Sequence, residues 1–80
     1  MTVVNQHNEN HHREGYWEDY YNNGKISYTG YYKNGIKDDY WKFYKADGYL
    51  IMTGKFIGGK RDGLWKFYVN GELDEKYFYF

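Results

Sequence analysis

Tyr40-Trp41-Lys42-Phe43-Tyr44, then Asp47-Gly48, then Tyr49-Leu50-Ile51-Met52-Thr53-Gly54, then Gly58-Gly59 run through the middle of the chain, and the stretch Asp39–Gly63 that holds them decides the fold. Shifted back by 24 residues, Trp17, Tyr20, Gly24, Gly30 and Gly35 stand where Trp41, Tyr44, Gly48, Gly54 and Gly59 stand. Shifted forward by 24, Trp65-Lys66-Phe67-Tyr68 restates Trp41-Lys42-Phe43-Tyr44. A fixed period of this length is the mark of one supersecondary unit copied and stacked. The copies fall at 15–38, 39–62 and 63–80, behind an arm, 1–14, that is polar and expected to be flexible, with Thr2-Val3-Val4 as a short strand.

Turn signals recur about every 12 residues, at Asn23-Gly24, Asn34-Gly35, Asp47-Gly48, Gly58-Gly59 and Asn70-Gly71. Such pairs supply the positive φ angles that two-residue hairpin turns require. The runs between them are rich in Tyr, Trp, Phe, Ile and Thr and show no helical period. The expectation is an all-β fold, a single-layer antiparallel meander of about six strands built from hairpins.

Two-residue turns fix a register. Asn23-Gly24 sets Trp17 against Gly30, and Asp47-Gly48 sets Trp41 against Gly54 and Phe43 against Met52. Asn34-Gly35 sets Tyr28 against Trp41 and Ile26 against Phe43, while Gly58-Gly59 sets Met52 against Trp65 and Leu50 against Phe67. A three-residue loop at Val69-Asn70-Gly71 would put Phe67 opposite Leu73. One face then carries Trp17, Ile26, Tyr28, Trp41, Phe43, Leu50, Met52, Phe56, Trp65 and Phe67. The other carries Glu18, Tyr20, Thr29, Tyr31, Tyr40, Lys42, Tyr44, Thr53, Lys55, Lys66 and Tyr68. Each Trp meets a glycine, which leaves room for an indole to lie flat.

Composition narrows the classes of function. The formal net charge is zero, which argues against general attraction to nucleic acid or anionic membrane. No cysteine is present, so packing or association must stabilise a domain of this size. No apolar run approaches the ~18 residues of a membrane-spanning helix, and the start of the chain lacks the pattern of a signal peptide, so a cytoplasmic site is expected. His7, His11 and His12, with Glu9 and Glu14 between them, are weak candidates for a metal site, because a structural site needs a fourth ligand and a fixed backbone. No metal or other cofactor is expected. Asp38, Asp39 and Asp62 stand beside turns for backbone reasons, and no serine or cysteine nucleophile with a base is evident, so no catalytic residues are assigned.

Tyr28-Thr-Gly30-Tyr-Tyr-Lys-Asn-Gly35-Ile-Lys-Asp-Asp-Tyr-Trp41 and Met52-Thr-Gly54-Lys-Phe-Ile-Gly-Gly59-Lys-Arg-Asp-Gly63-Leu-Trp65 resemble MORN repeats. They are most like the bacterial MORN-repeat-variant family, in which Gly-x-Trp-x-x-Tyr alternates with Asn-Gly turns. The resemblance runs from Gly15 to about Glu72, with two departures: Asp39 replaces the glycine of Gly15 and Gly63, and the third copy is truncated. It implies an elongated ribbon of hairpins and a binding module with no catalytic set to carry over. Some members of the family are described as antitoxins, others as scaffolds or lipid binders.

The sequence therefore points to a non-catalytic protein-interaction module, antitoxin-like in the family's terms. Its partner, a different protein or a second copy, would bind the apolar face through Trp17, Tyr28, Trp41, Phe43, Met52, Trp65 and Phe67. A lone sheet has no second layer to cover such a face. The alternative is a small ligand or nucleotide held on the opposite face by Tyr20, Tyr40, Lys42, Tyr44, Lys66 and Tyr68, with tyrosines to stack and lysines to meet phosphate.

Overall fold

A computed structural model describes residues 4–80, so the proposed strand at Thr2-Val3-Val4 lies, except for Val4, outside the described residues. The fold is a single open antiparallel sheet in strict sequence order, β1-β2-β3-β4-β5-β6-β7. The strands are β1 Gln6–His7, β2 Arg13–Tyr20, β3 Ile26–Lys33, β4 Ile36–Tyr44, β5 Leu50–Ile57, β6 Lys60–Val69 and β7 Glu72–Tyr79. No described segment is helical, and none is a helix long and apolar enough to cross a membrane.

Seven strands appear rather than six because the polar arm turns back on itself. Gln6 and His7 pair with Glu14 and Arg13. The side chain of Asn8 closes the turn by accepting from the amides of Asn10 and His12 at 2.9 and 3.1 Å. Asn5 then copies a strand neighbour: its amide nitrogen donates to Glu18 O at 3.0 Å and its amide oxygen accepts from Glu18 N at 2.8 Å. Asn5, Gln6 and His7 together make the arm an edge piece of the sheet.

The turns fall into two kinds. Asn34-Gly35, Gly58-Gly59 and Asn70-Gly71 are two-residue turns with both φ angles positive, from 51° to 85°. At Asn23-Gly24 and Asp47-Gly48 the loops hold three residues, Asn22-Asn23-Gly24 and Ala46-Asp47-Gly48, closed by Tyr21 N–Lys25 O and Lys45 N–Tyr49 O, both 2.8 Å. Each longer loop shifts the pairing by one residue, and an extra residue at Ser27 or Ile51 shifts it back. Trp17–Gly30, Trp41–Gly54 and Phe43–Met52 therefore pair as expected. The same bulges turn Ile26 and Leu50 to the side of their partners Tyr20 and Tyr44, away from the aromatic face.

The other register expectations fail. Between Thr29 and Tyr31 the pairing of β3 with β4 slips by two residues, so Tyr28 meets Phe43 instead of Trp41. Between Thr53 and Lys55 the same slip occurs, and Met52 meets Phe67 instead of Trp65. The cause is a left-handed residue in the second strand of each pair: Asp39 at φ 62° and Gly63 at φ 67°. At the last turn two residues suffice, and a bulge at Asp74 sets Phe67 opposite Glu75, where Leu73 was expected.

Candidate functional site

The slips decide where the tryptophans lie. Trp41 faces Gly54 across the ladder, yet its indole covers Gly30 on the preceding strand, and Trp65 in turn covers Gly54. A Cβ built on either glycine would fall on ring atoms Cδ2 and Cε2. The indole nitrogens donate to carbonyls of that preceding strand, Trp41 to Tyr31 O at 3.0 Å and Trp65 to Lys55 O at 3.1 Å. Both indoles are fully buried. A hydrogen-bonded indole lying flat on bare backbone satisfies its one polar atom and excludes water from both ring faces.

Tyr32 and Phe56 fill the spaces between the tryptophans and are buried with them. The rings alternate edge to face across the sheet: Trp17–Tyr32 at 5.9 Å, Tyr32–Trp41 at 4.9 Å, Trp41–Phe56 at 6.0 Å, Phe56–Trp65 at 5.0 Å and Trp65–Tyr79 at 6.2 Å. Edge-to-face contact places the positive ring edge against the negative face of its neighbour. A second row, Tyr28–Phe43–Met52–Phe67, crosses the strands beside the tryptophans, with Asp19 and Glu75 at its two ends. Its apolar members are half-buried, as is Trp17, and pack against the core from one side only. Of the seven residues expected to bind a partner, the sheet brings all onto one face, and Trp41 and Trp65 lie beneath the surface.

Sequence reading missed the cations on this face. Arg13 stands 4.6 Å from the ring centre of Trp17, Lys37 5.4 Å from that of Trp41 and Arg61 4.8 Å from that of Trp65. Each also reaches the neighbouring ring: Tyr32, Phe56 and Tyr79 respectively. The signal was present, since each cation precedes its tryptophan by four residues. None is paired with a carboxylate; the one ion pair among the described residues is Lys45–Asp47 at 3.7 Å. Arg13 donates to the hydroxyls of Tyr32 and Tyr28 at 3.1 and 3.2 Å. Those bonds, Tyr32's first, hold the guanidinium still more firmly charged, while burial pushes the Tyr32 hydroxyl up against the opposing pull of Arg13.

The opposite face is polar. Glu18, Thr29, Lys42, Thr53, Lys66 and Lys76 form one line across six strands, each the ladder partner of the next. Tyr20 and Tyr40 are exposed, Tyr44 and Tyr68 half-buried. Glu18 accepts from the hydroxyls of Tyr20 at 3.2 Å and Tyr16 at 3.4 Å. The bond to Glu18 raises the Tyr20 hydroxyl pKa, whereas burial is the larger cause for Tyr16. Lys42 and Lys66 thus share a line, while Tyr40 pairs with Lys55 one row away and Tyr44 with Leu50. Two recesses lie at turns: one of about 370 Å³ between Val69, Asn70, Glu72, Leu73 and Asp74, and one of about 200 Å³ around Asn34, Ile36 and Gly58.

His7, His11 and His12 do not converge. His7 stands edge-on to Trp17 at 5.2 Å, and His12 lies over Gly35. The described residues hold no group of three metal-ligating side chains. No protein-family model, no curated protein and no solved structure matches this chain.

Proposed function

We propose that this chain is a non-catalytic protein-interaction module that docks a partner on its aromatic face. The observation carrying the reading is the row Tyr28–Phe43–Met52–Phe67, half-buried on one side of a one-layer sheet, with no described element across it. With Trp41 and Trp65 already buried, binding energy falls to this row and to Trp17, since buried aromatic anchors dominate protein interfaces. Arg13, Lys37 and Arg61 edge the same face without carboxylate partners, so a fitting partner presents an apolar centre with acidic groups along one side.

The recurrence of the tryptophan-on-glycine seat at Gly30 and Gly54, of the left-handed residue at Asp39 and Gly63, and of a cation over each indole supports a MORN-like hairpin repeat. In that family's terms the module is an antitoxin-like inhibitor working in the cytoplasm. Affinity capture with the full chain, followed by identification and titration of the retained protein, tests the reading. Phe43→Ala and Phe67→Ala should each weaken binding by about 2 kcal/mol or more, while Lys42→Ala and Lys66→Ala change little beyond salt sensitivity. Circular dichroism checks that every variant is folded. If the lysine variants lose binding and the folded phenylalanine variants keep it, the aromatic face is only a core, and the nucleotide-binding reading of the tyrosine-lysine face replaces this one.

A further inference from the structure

Asn23, Asn34 and Asn70 are each followed by glycine, a dipeptide that carries chemistry of its own as well as a turn. The glycine nitrogen attacks the asparagine Cγ, and with no Cβ on the glycine little hinders closure of the succinimide ring. All three asparagines are exposed, so exposure does not rank them. Hydrogen bonding does. Asn23 Nδ2 donates to Ala46 O at 2.8 Å, its Oδ1 accepts from Lys25 N at 2.9 Å, and Gly24 N donates to Tyr21 O at 2.9 Å. Asn34 Oδ1 accepts from Asn8 Nδ2 at 2.6 Å, and Gly35 N donates to Arg13 O at 2.9 Å. In both pairs the electrophile and the nucleophile are held. Among the described residues no hydrogen bond reaches the Asn70 side chain or Gly71 N.

We propose that Asn70 is a self-modifying site, the position at which this chain exchanges an amide for a carboxylate ahead of the other two. Gly71 N gives up its proton to solvent base and bonds to Asn70 Cγ; the Cγ–Nδ2 bond breaks and ammonia leaves. Water, the sole co-reactant, then opens the succinimide at either C–N bond, giving aspartate or isoaspartate. Both products disturb the last hairpin. The new charge stands with Glu72 and Asp74 around the recess at this turn, where like charges repel. Isoaspartate also adds a methylene to the backbone of a turn in which Val69 pairs directly with Glu72, and in which Asn70 and Gly71 hold φ angles of 52° and 82°. The strand loosened in this way, β7, brings Tyr79 against Trp65 and its hydroxyl to Arg61 at 2.8 Å. The site therefore couples the age of the chain to the packing over Trp65.

The reaction needs no docking partner, so its outcome is independent of the proposed function. The test ages the full chain in neutral buffer, folded and in urea, and follows amide-to-acid conversion at each asparagine by peptide mapping and mass spectrometry. In the folded chain Asn70 should convert ~10-fold or more faster than Asn23 or Asn34, the factor expected when hydrogen bonds must break before the ring closes. In urea the three rates should draw together, because the dipeptide is the same. The fast phase should vanish in Asn70→Gln, whose longer side chain closes its ring far more slowly, with circular dichroism showing that the variant is folded. As Asn70 converts, amide exchange in β7 should speed up while β3 and β4 keep their protection. Asn23 or Asn34 reacting as fast as Asn70 in the folded chain overturns the proposal. So does a lead for Asn70 that persists undiminished in urea, and an unchanged β7 overturns the coupling to Trp65.

Discussion

Trp17 and Trp41 occupy the same phase of the sequence period, and the sheet treats them differently. Trp41 lies on Gly30, donates to Tyr31 O and is fully buried. Trp17 has only the two-residue β1 behind it; its indole donates to Gln6 O at 3.0 Å, His7 stands at its edge, and it is half-buried. The lesson is that a tryptophan's burial here is supplied by the strand before it. Gln6 falls where the period would place a glycine, so the arm substitutes a carbonyl and an imidazole for a seat. In stacked architectures the end units lack a neighbour and need a cap of this kind.

The largest contrast should come from deleting the rings. Trp41→Ala should cost about 3–5 kcal/mol, the usual range for a buried aromatic, and Trp17→Ala only about 1–2 kcal/mol. Urea denaturation of both variants measures the gap. Equal losses would mean that the preceding strand does not decide burial.

Gly54→Ala probes the seat itself. The added methyl carbon falls within the ring of Trp65, so either the indole lifts or the strand moves, at about 1–3 kcal/mol. Trp65 should become more exposed, which indole fluorescence reports, whereas Trp41, the ladder partner of Gly54, should stay in place. An unshifted midpoint with unchanged emission would show that the glycine is not what admits the ring.

The smallest effect belongs to the cap. Asn5→Ala removes the paired amide bonds to Glu18 and should cost about 0.5–1.5 kcal/mol. Amide exchange should speed up at Glu18 while the amides of β4 and β5 keep their protection. Uniform acceleration across the sheet would instead make the arm part of the cooperative core.

Much of this was legible in the residues. The spacing of Asx-Gly and Gly-Gly pairs marked every turn from β2 to β7, though not the Asn8–His12 turn of the arm, and the aromatic alternation assigned Trp41, Phe43, Phe56, Trp65 and Phe67 to one face. Turn length was not legible. Asn23-Gly24 and Asn34-Gly35 share a dipeptide, yet one ends a three-residue loop and the other is the whole turn. The register at Trp17 and Trp41 came out right because the bulges at Ser27 and Ile51 offset the longer loops. Where a left-handed residue intervened, at Asp39 and Gly63, it came out wrong. The phase shared with Gly15 hinted at a special backbone, but the two-residue slip it produces is a property of two strands together. For the candidate site, residue identities gave the aromatic row, while the cations over the rings needed the geometry.

Local chemistry determined the strands β2 to β7, their order and the turns between them, because hairpin propensity and alternation act over a few residues. Tertiary structure alone decided which glycine each indole covers, why Tyr32 and Tyr79 join the core, and why the arm becomes an edge strand. Those choices turn on contacts between neighbouring strands, whose relative shift is the sum of loop lengths, bulges and left-handed residues. A one-residue error in that sum moves every side chain to the other face, so only the assembled sheet can settle it.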